Sequence, residues 1–161
     1  MTRNFLKPDT EAMLNKAVHS ELYASNLYKH LSNQMQRMGF FGAQKFFAGE
    51  SADELTHYQR LADYMNDRGT AAEVPMVEAM NDKVAGLYDA IELAFDTEVQ
   101  LMEDYSKWYE ACECVITKQF LLQFLEIQRL SVGEYGDLLS RLDIAGDDNC
   151  ALLIVDKELG E

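Results

Sequence analysis

The chain has 161 residues, nearly half of them apolar, a length and composition that support one domain over residues 1–161 and exclude a disordered chain. Its 28 acidic residues outnumber 14 basic ones and give a formal charge of −14, which excludes nucleic acid and anionic membranes as expected partners and favours cations. Three cysteines, an odd number without a recognisable secretory signal, indicate reduced thiols in a cytoplasmic protein.

Apolar residues that recur at steps of three and four predict four long amphipathic helices. The first is expected to follow Pro8, with Asp9 or Thr10 as its cap, and to end near Gly39. A short fifth helix is expected near the C-terminus. The predicted ranges are about 9–38, 41–68, 83–111, 116–142 and 150–159.

Residues 70–82 are expected to form a connection, because they include Pro75 and lack helical periodicity. A helix of about 27 residues is roughly 40 Å long, and about 14 extended residues reach roughly 45 Å. The connection can therefore cross the bundle from end to end and let the third helix run parallel to the second. The predicted fold is all-α, a four-helix bundle with one long crossover and a short fifth helix.

Candidate metal ligands occur on all four long helices: Glu21, Glu54 with His57, Glu98, and Gln128. Glu54 and His57 lie about 60° apart on one helical face, so both can reach one ion. Iron(II) accepts mixed carboxylate and imidazole ligands, and a carboxylate can bridge two ions. We expect the first iron at Glu21, Glu54 and His57, and the second at Glu98 and Gln128, with Glu54 shared.

Each of these residues has an ordinary explanation when taken alone, such as a solvated Glu21 or an accidental Glu-x-x-His surface pair. The joint pattern is harder to explain by chance, because each ligand type occupies a separate helix in the order that the topology requires. His19 and His30 project about 160° and 180° away from Glu21 and are expected to be exposed and unconnected with metal.

Two further residues are candidates for the site. Tyr28 follows Glu21 by two helical turns, so its phenol could bond a carboxylate ligand or supply an electron. Asp53 precedes the expected bridge and is also expected to touch iron. Gln128 and Ser131 echo Glu54 and His57 with weaker ligands, which predicts a second metal position looser than the first.

These motifs resemble ferritin over nearly the whole chain. The resemblance rests on the segments 21–28, 54–57 (Glu-Leu-Thr-His), Glu98, Gln128 with the later Gly136-Asp137, and 154–159 (Ile-Val-Asp-Lys-Glu-Leu). It implies a cage of twenty-four copies in which each bundle oxidises Fe(II) with dioxygen or peroxide and delivers ferric oxyhydroxide to the interior. By position, it makes Tyr28 the tyrosine of the ferroxidase centre.

The sequence also departs from parts of the family. Bacterioferritins resemble it less, because a haem-binding Met follows their bridging Glu, whereas Leu55 stands here, so no haem is expected. Bacterial non-haem ferritins carry a third iron site on the fourth helix, where this chain has Ile127, Leu130 and Ser131. A full third site is therefore not expected, and whether a weak, partial one exists near Asp53 stays open.

Two other functions stay open at this point. The first is a catalytically slow storage subunit, which the weak ligands on the fourth helix would favour and the five intact ligands oppose. The second is a di-iron oxygenase or rubrerythrin-like peroxidase, which would need a second Glu-x-x-His or paired Cys-x-x-Cys motifs that the chain lacks. A DNA-protecting mini-ferritin is disfavoured because its ligands come from subunit interfaces.

Overall fold

The computed structural model describes residues 3–161, in which five α-helices and no β-strand are present. The expectation of an all-α bundle with a short fifth helix is thereby confirmed. The helices are α1 (Pro8–Met38), α2 (Phe41–Asp67), α3 (Leu87–Ala111), α4 (Val115–Ala145) and α5 (Asn149–Leu159).

The start of α1 differs from the expectation. Lys7 is the N-cap residue and Pro8 occupies the first turn, so the prediction of Asp9 or Thr10 as the cap was wrong. Proline suits this position because its missing N–H would have had no helical acceptor and its φ angle is already helical. Asp9 lies within the first turn instead, where its charge complements the helix dipole.

The third helix begins at Leu87, four residues later than the predicted residue 83. The backbone N–H of Val84 donates to the Gln34 side-chain oxygen of α1 at 3.2 Å, and Gly86 is fully extended. The residues before Leu87 are therefore bound to α1 and do not continue the helix. The fourth helix in turn extends three residues beyond the predicted residue 142.

Small hydroxyl side chains connect α1 and α2. The Ser25 hydroxyl donates to the Ser51 carbonyl oxygen at 2.8 Å, and the Ser32 hydroxyl donates to the Gln44 carbonyl oxygen at 2.8 Å. The turn between the two helices contains Gly39 at φ 90°, a left-handed conformation that glycine adopts without steric cost. These contacts make α1 and α2 an antiparallel hairpin.

The long connection, residues 68–86, lies along α1 from its first half to its last turns. The Glu73 backbone N–H donates to the Asn15 side chain at 3.0 Å, and the Asp82 carbonyl accepts from Gln34 at 3.0 Å. The connection thus crosses the length of the bundle, so α3 starts at the same end as α2 and runs parallel to it, as the length argument predicted.

The two remaining histidines also contact this connection. His30 Nε2 donates to the Asp82 carbonyl oxygen at 2.7 Å, and His19 Nε2 lies 3.8 Å from the Glu78 carboxylate. Both side chains are half-buried, so the prediction that they are exposed was wrong. The connection covers the face of α1 on which they lie.

The short α5 packs against the N-terminus of α2. The buried Asp156 carboxylate accepts hydrogen bonds from the backbone N–H groups of Gly42 at 3.1 Å and Ala43 at 2.7 Å. Phe40, the N-cap residue of α2, provides no such acceptor, so Asp156 satisfies these donors from another helix. A Cβ on Gly42 would lie 1.6 Å from the Asp156 carbonyl oxygen, so the close approach requires glycine.

The four long helices bury an aliphatic and aromatic core that extends through the bundle. Over residues 3–161, none of the helices combines the length and apolar character that crossing a membrane requires. The core is interrupted near its middle by a group of buried polar residues that α1, α2, α3 and α4 all contribute.

Replacing Asp156 with Ala should destabilise the docked α5, because two α2 N–H groups lose their acceptor. We expect the free energy of unfolding to fall by roughly 1–2 kcal/mol, the usual cost of removing a helix cap. Amide hydrogen exchange should become faster in α5 and in the first turn of α2. Asp147→Ala removes an exposed carboxylate in the turn before α5 and serves as the control. Equal protection in both variants would contradict the capping role.

Candidate metal centre

Four candidate ligands, one from each long helix, are almost completely buried. The relative exposures are 0% for Glu21, 3% for Glu54, 1% for Glu98 and 0% for Gln128. Carboxylates are rarely buried to this extent unless they are paired or bind a metal, because an isolated buried charge is very costly. Three of them in one core therefore indicate a built ionic site.

Glu21, Glu54 and His57 form the compact part of the site. One ligand atom from each lies within 4.8 Å of the others, and no other cluster of three or more His, Cys, Asp or Glu in residues 3–161 meets this criterion. His57 Nδ1 donates to Glu54 Oε2 at 3.0 Å and lies 3.7 Å from Glu21 Oε2. The structure thus brings together the three residues predicted for the first iron.

Two buried tyrosines bind the carboxylates of α1 and α3 reciprocally. The Tyr28 hydroxyl, from α1, donates to Glu98 Oε1, and the Tyr105 hydroxyl, from α3, donates to Glu21 Oε1. Tyr28 therefore bonds a candidate ligand, but one on α3 and not on its own helix. Seven residues of helix separate Glu21 and Tyr28 by about 10 Å, and the antiparallel α3 places Glu98 opposite the phenol.

Gln128 occupies the other oxygen of Glu98. Its Nε2 donates to Glu98 Oε2 at 2.6 Å and to the Glu98 backbone carbonyl at 3.3 Å. Both carboxylate oxygens of Glu98 are thus hydrogen-bonded. The second group of predicted ligands lies together in the structure, and each Glu98 oxygen keeps a second lone pair with which to bind a cation.

Two buried oxygens of the site, Glu21 Oε2 and Gln128 Oε1, have no hydrogen-bond donor among the described residues. Buried polar atoms normally have a partner, so an unpartnered oxygen needs an explanation. Oxygen and imidazole nitrogen ligands suit Fe(II), and one such oxygen is available on each side of the centre. The donor set therefore fits cations at this site.

Hydrogen bonding and burial shift the pKa values of the compact group in different directions. Burial and the neighbouring Glu21 raise the pKa of Glu54 to about 10. Burial opposes the positive charge on His57, but the carboxyl groups of Glu21 and Glu54 beside it outweigh burial and raise the His57 pKa to about 10. Burial also opposes ionisation of Glu21, yet the neighbouring Glu54 and His57 and the hydrogen bond from Tyr105 lower its pKa. Without metal, Glu21 is the ionised carboxylate.

A third buried tyrosine, Tyr135 of α4, adjoins the centre. Its hydroxyl donates to Glu50 Oε2 at 3.0 Å, and its ring stacks on that of Tyr28 with centroids 6.4 Å apart. Glu50 is half-buried, one turn before Glu54, and burial raises its pKa to about 7 although the bond from Tyr135 lowers it. Asp53 is exposed and lies outside the compact group, so its contact with iron stays a prediction.

Sequence reasoning overlooked Tyr105 and Tyr135, although a signal was present. Tyr28 follows Glu21 by seven residues, and the same spacing separates Tyr105 from Glu98 and Tyr135 from Gln128. The repeated spacing could have identified both tyrosines. No comparable signal existed for Glu50, because its partner lies on another helix, 85 residues away.

The sequence was compared with known families and proteins. The family profile of the ferritin-like domain matches residues 11–145. A probable bacterial non-heme ferritin-like protein of Haemophilus influenzae is 28% identical over 159 residues, which cover 96% of each chain. The bacterial non-heme ferritin of Escherichia coli O6:H1 is 28% identical over 160 residues, or 96% of this chain and 95% of the relative. The ferritin of Pacifastacus leniusculus is 30% identical over 153 residues, or 91% of this chain and 84% of the relative.

Solved structures show the same fold. An open pore ferritin from the archaeon Archaeoglobus fulgidus superposes with a TM-score of 0.94 over 96% of this chain and 97% of its own, at 23% sequence identity. A form of that protein engineered to be closed superposes with a TM-score of 0.93 over 96% of each chain, also at 23% identity. The bundle, the crossover and the short fifth helix therefore form a known architecture.

Replacing Tyr105 with Phe should leave the buried Glu21 carboxylate without its phenolic donor. We expect the metal-free protein to lose roughly 1–3 kcal/mol of unfolding free energy, the usual penalty for an unsatisfied buried group. Chemical denaturation of the metal-free protein measures this loss. Tyr58→Phe is the control, since Tyr58 is half-buried and its hydroxyl has no hydrogen bond to another described residue. Equal stability of the two variants would mean that the Tyr105 bond contributes nothing.

Binding of a divalent cation should release protons. Glu54 and His57, whose pKa values are raised to about 10, hold protons near neutral pH and must lose them to become ligands. Affinity should therefore rise as pH increases from 6 to 8. Calorimetry with Zn²⁺ in buffers of different ionisation enthalpy measures the released protons. Glu54→Gln, which carries no titrating proton, should release fewer, and an identical proton count in this variant would contradict the protonated state of Glu54.

Proposed function

The chain belongs to the ferritin family of iron-storage proteins, and we propose that each subunit oxidises Fe(II) with dioxygen or peroxide at the buried four-helix centre. The ferric product would be stored as oxyhydroxide within a cage of twenty-four copies. The observation that carries this proposal is the buried group Glu21, Glu54 and His57, whose ligand atoms already lie within 4.8 Å of one another.

The compact group suits the first Fe(II) ion without rearrangement of the backbone. Glu21 is ionised and has one unpartnered oxygen, and His57 turns a ring nitrogen towards it. Glu54, which accepts from His57 Nδ1 at 3.0 Å, is proposed as the bridge to the second ion. On loading, Glu54 and His57 give up their protons, and the cation takes the place of the positive charge that the protons supplied.

The second ion would be bound by Glu98 and Gln128, with Glu54 shared. Each Glu98 oxygen accepts one hydrogen bond and keeps a lone pair for the cation, and the Gln128 oxygen is unpartnered. The second position has one carboxylate of its own and a neutral amide, and is therefore weaker than the first. This asymmetry suits an ion that is oxidised and then moves on to the store.

Tyr28 is proposed as the electron donor of the centre. Its hydroxyl is bonded to Glu98, so the phenolic proton has an acceptor at the moment when the ring is oxidised. Asp53, exposed on α2 beside Glu54, is proposed to contact iron only transiently on its way through the site.

A catalytically slow storage subunit is the second candidate function. The specific observation in its favour is that both oxygens of Glu98 are hydrogen-bonded and that Ser131 supplies no strong ligand beside Gln128. If the second position fails to load, paired oxidation of two ions cannot occur. The two candidates predict different stoichiometries of fast oxidation.

Stopped-flow oxidation of Fe(II) by the metal-free protein distinguishes them. Fast oxidation that saturates near two ions per subunit, followed by slower uptake of many more, would support a ferroxidase. Slow oxidation without saturation would favour the storage subunit.

Replacing Glu54 with Ala should remove the bridge between the two ions. The fast phase should slow by at least about 10–100-fold, the loss typical of removing even a residue that supports a metal ligand. Glu103→Ala, which removes an exposed carboxylate of α3, is the matched control. Size-exclusion chromatography establishes that both variants assemble alike. A normal fast phase in Glu54→Ala would refute the site.

A further inference from the structure

Tyr135 and Glu50 form a second phenol–carboxyl pair beside the one formed by Tyr28 and Glu98. The two phenol rings are stacked, with centroids 6.4 Å apart and an interplanar angle of 28°. Each hydroxyl donates to its own carboxyl group: Tyr28 to Glu98, and Tyr135 to Glu50. Two oxidisable rings thus lie in contact, and each has its own proton acceptor.

The surroundings of the two rings exclude water on the inner side. Both tyrosines have no exposed surface, Phe47 stacks on Tyr28, and Phe46 meets Tyr135 edge to face. Glu50, in contrast, is half-buried, so its carboxyl group connects the buried Tyr135 hydroxyl with solvent. A proton released by Tyr135 therefore has a direct exit, whereas the proton of Tyr28 is retained at the centre.

We propose that Tyr135 is a second redox-active tyrosine, which returns an electron to oxidised Tyr28 and gives its phenolic proton to Glu50. The inference rests on the proposed function, since the oxidant comes from reduction of peroxide at the centre. Tyr135 is thus an electron donor that the sequence motifs of the centre do not include.

One peroxide molecule takes one electron from Fe(II) and one from Tyr28, and with two protons from solvent it yields two waters, Fe(III) and a Tyr28 phenoxyl radical. The Tyr28 proton passes to Glu98. Tyr135 then gives one electron to the Tyr28 radical and its proton to the Glu50 carboxylate, while Glu98 returns the first proton to Tyr28. The products are neutral Tyr28, ionised Glu98, protonated Glu50 and a Tyr135 radical.

This transfer moves the oxidising equivalent away from the metal ligands. Glu98 regains its charge and can bind the next cation, and the radical resides where Glu50 can exchange its proton with solvent. The other aromatic route from the centre, through Tyr105 to the half-buried Trp108, has ring centroids 5.2 Å apart, but no carboxyl group of residues 3–161 is bonded to the tryptophan. Of these two routes, the one through Tyr135 has a proton acceptor at each ring.

Electron paramagnetic resonance of freeze-quenched samples tests the proposal. Protein containing ring-deuterated tyrosine is mixed with one Fe(II) per subunit and excess hydrogen peroxide. In the wild type we expect a tyrosyl signal from Tyr135. Tyr135→Phe and Glu50→Gln should both lose that signal and share a different one from Tyr28, because Gln can accept a hydrogen bond but cannot take the proton. Tyr28→Phe should lose the signal from Tyr135 as well.

Trp108→Phe is the matched control, and it should leave the Tyr135 signal unchanged. Identical spectra from the wild type, Tyr135→Phe and Glu50→Gln would overturn the proposal. Loss of the signal in Trp108→Phe but not in Tyr135→Phe would overturn it as well and assign the radical to the other route. Absorption of bound Co²⁺ establishes that each variant retains the compact metal group.

A second measurement separates this proposal from the function on which it rests. Metal-free protein is oxidised by light-generated tris-bipyridine ruthenium(III), and the tyrosyl radical is detected without iron or peroxide. Glu50→Gln should lower the yield of the Tyr135 radical severalfold relative to wild type. An unchanged yield would overturn the role of Glu50. Slow Fe(II) oxidation by the wild type would refute the ferroxidase and leave this result unaffected.

Discussion

The reciprocal bonds between tyrosines and carboxylates across α1 and α3 are the interaction on which the centre depends. Burying Glu21 and Glu98 in a hydrophobic core would be prohibitive without donors aimed at them. Tyr105 supplies one donor and Tyr28 the other, each from the opposite helix. Because α1 and α3 are antiparallel and are connected only through α2 and the crossover, the two bonds also fix the register in which the two hairpins meet. The same two hydrogen bonds thus stabilise the buried carboxylates and hold them in position at the centre.

The two halves of the bundle have related sequences but different metal ligands. Glu54 and His57 on α2 correspond to Gln128 and Ser131 on α4, so one half supplies a carboxyl group and an imidazole and the other a neutral amide and a hydroxyl. Glu21 accordingly faces an acid and an imidazole, whereas Glu98 is bound by an amide and a phenol. A symmetrical centre would bind the two ions with equal affinity. Here the first position has two carboxyl groups and an imidazole, whereas the second has one carboxylate of its own and a neutral amide.

Much of the fold could be predicted because its elements depend on local patterns. Helical periodicity located all five helices, and the reach of residues 70–82 indicated the crossover. The start of α3 was misplaced because Val84 bonds to Gln34, a contact that no local pattern reveals. For the same reason the sequence placed Tyr28 near the candidate ligands without identifying Glu98 as the residue it bonds, and it did not reveal that His30 bonds to the Asp82 carbonyl. Spacing within a helix can be read from sequence, whereas pairing between helices depends on the register of the packed bundle.

The protonation of the compact group gives its three residues, Glu21, Glu54 and His57, a net charge of zero in the absence of metal. Glu21 is negative, His57 is positive and Glu54 is neutral, so the three charges cancel. A divalent cation that displaces the protons of Glu54 and His57 leaves the sum at zero again. Filling and emptying of the compact group are electroneutral exchanges, and neither state leaves an uncompensated charge within the group. The compact group therefore needs no metal to balance its charges, and we expect the bundle to keep one structure whether the group is filled or empty.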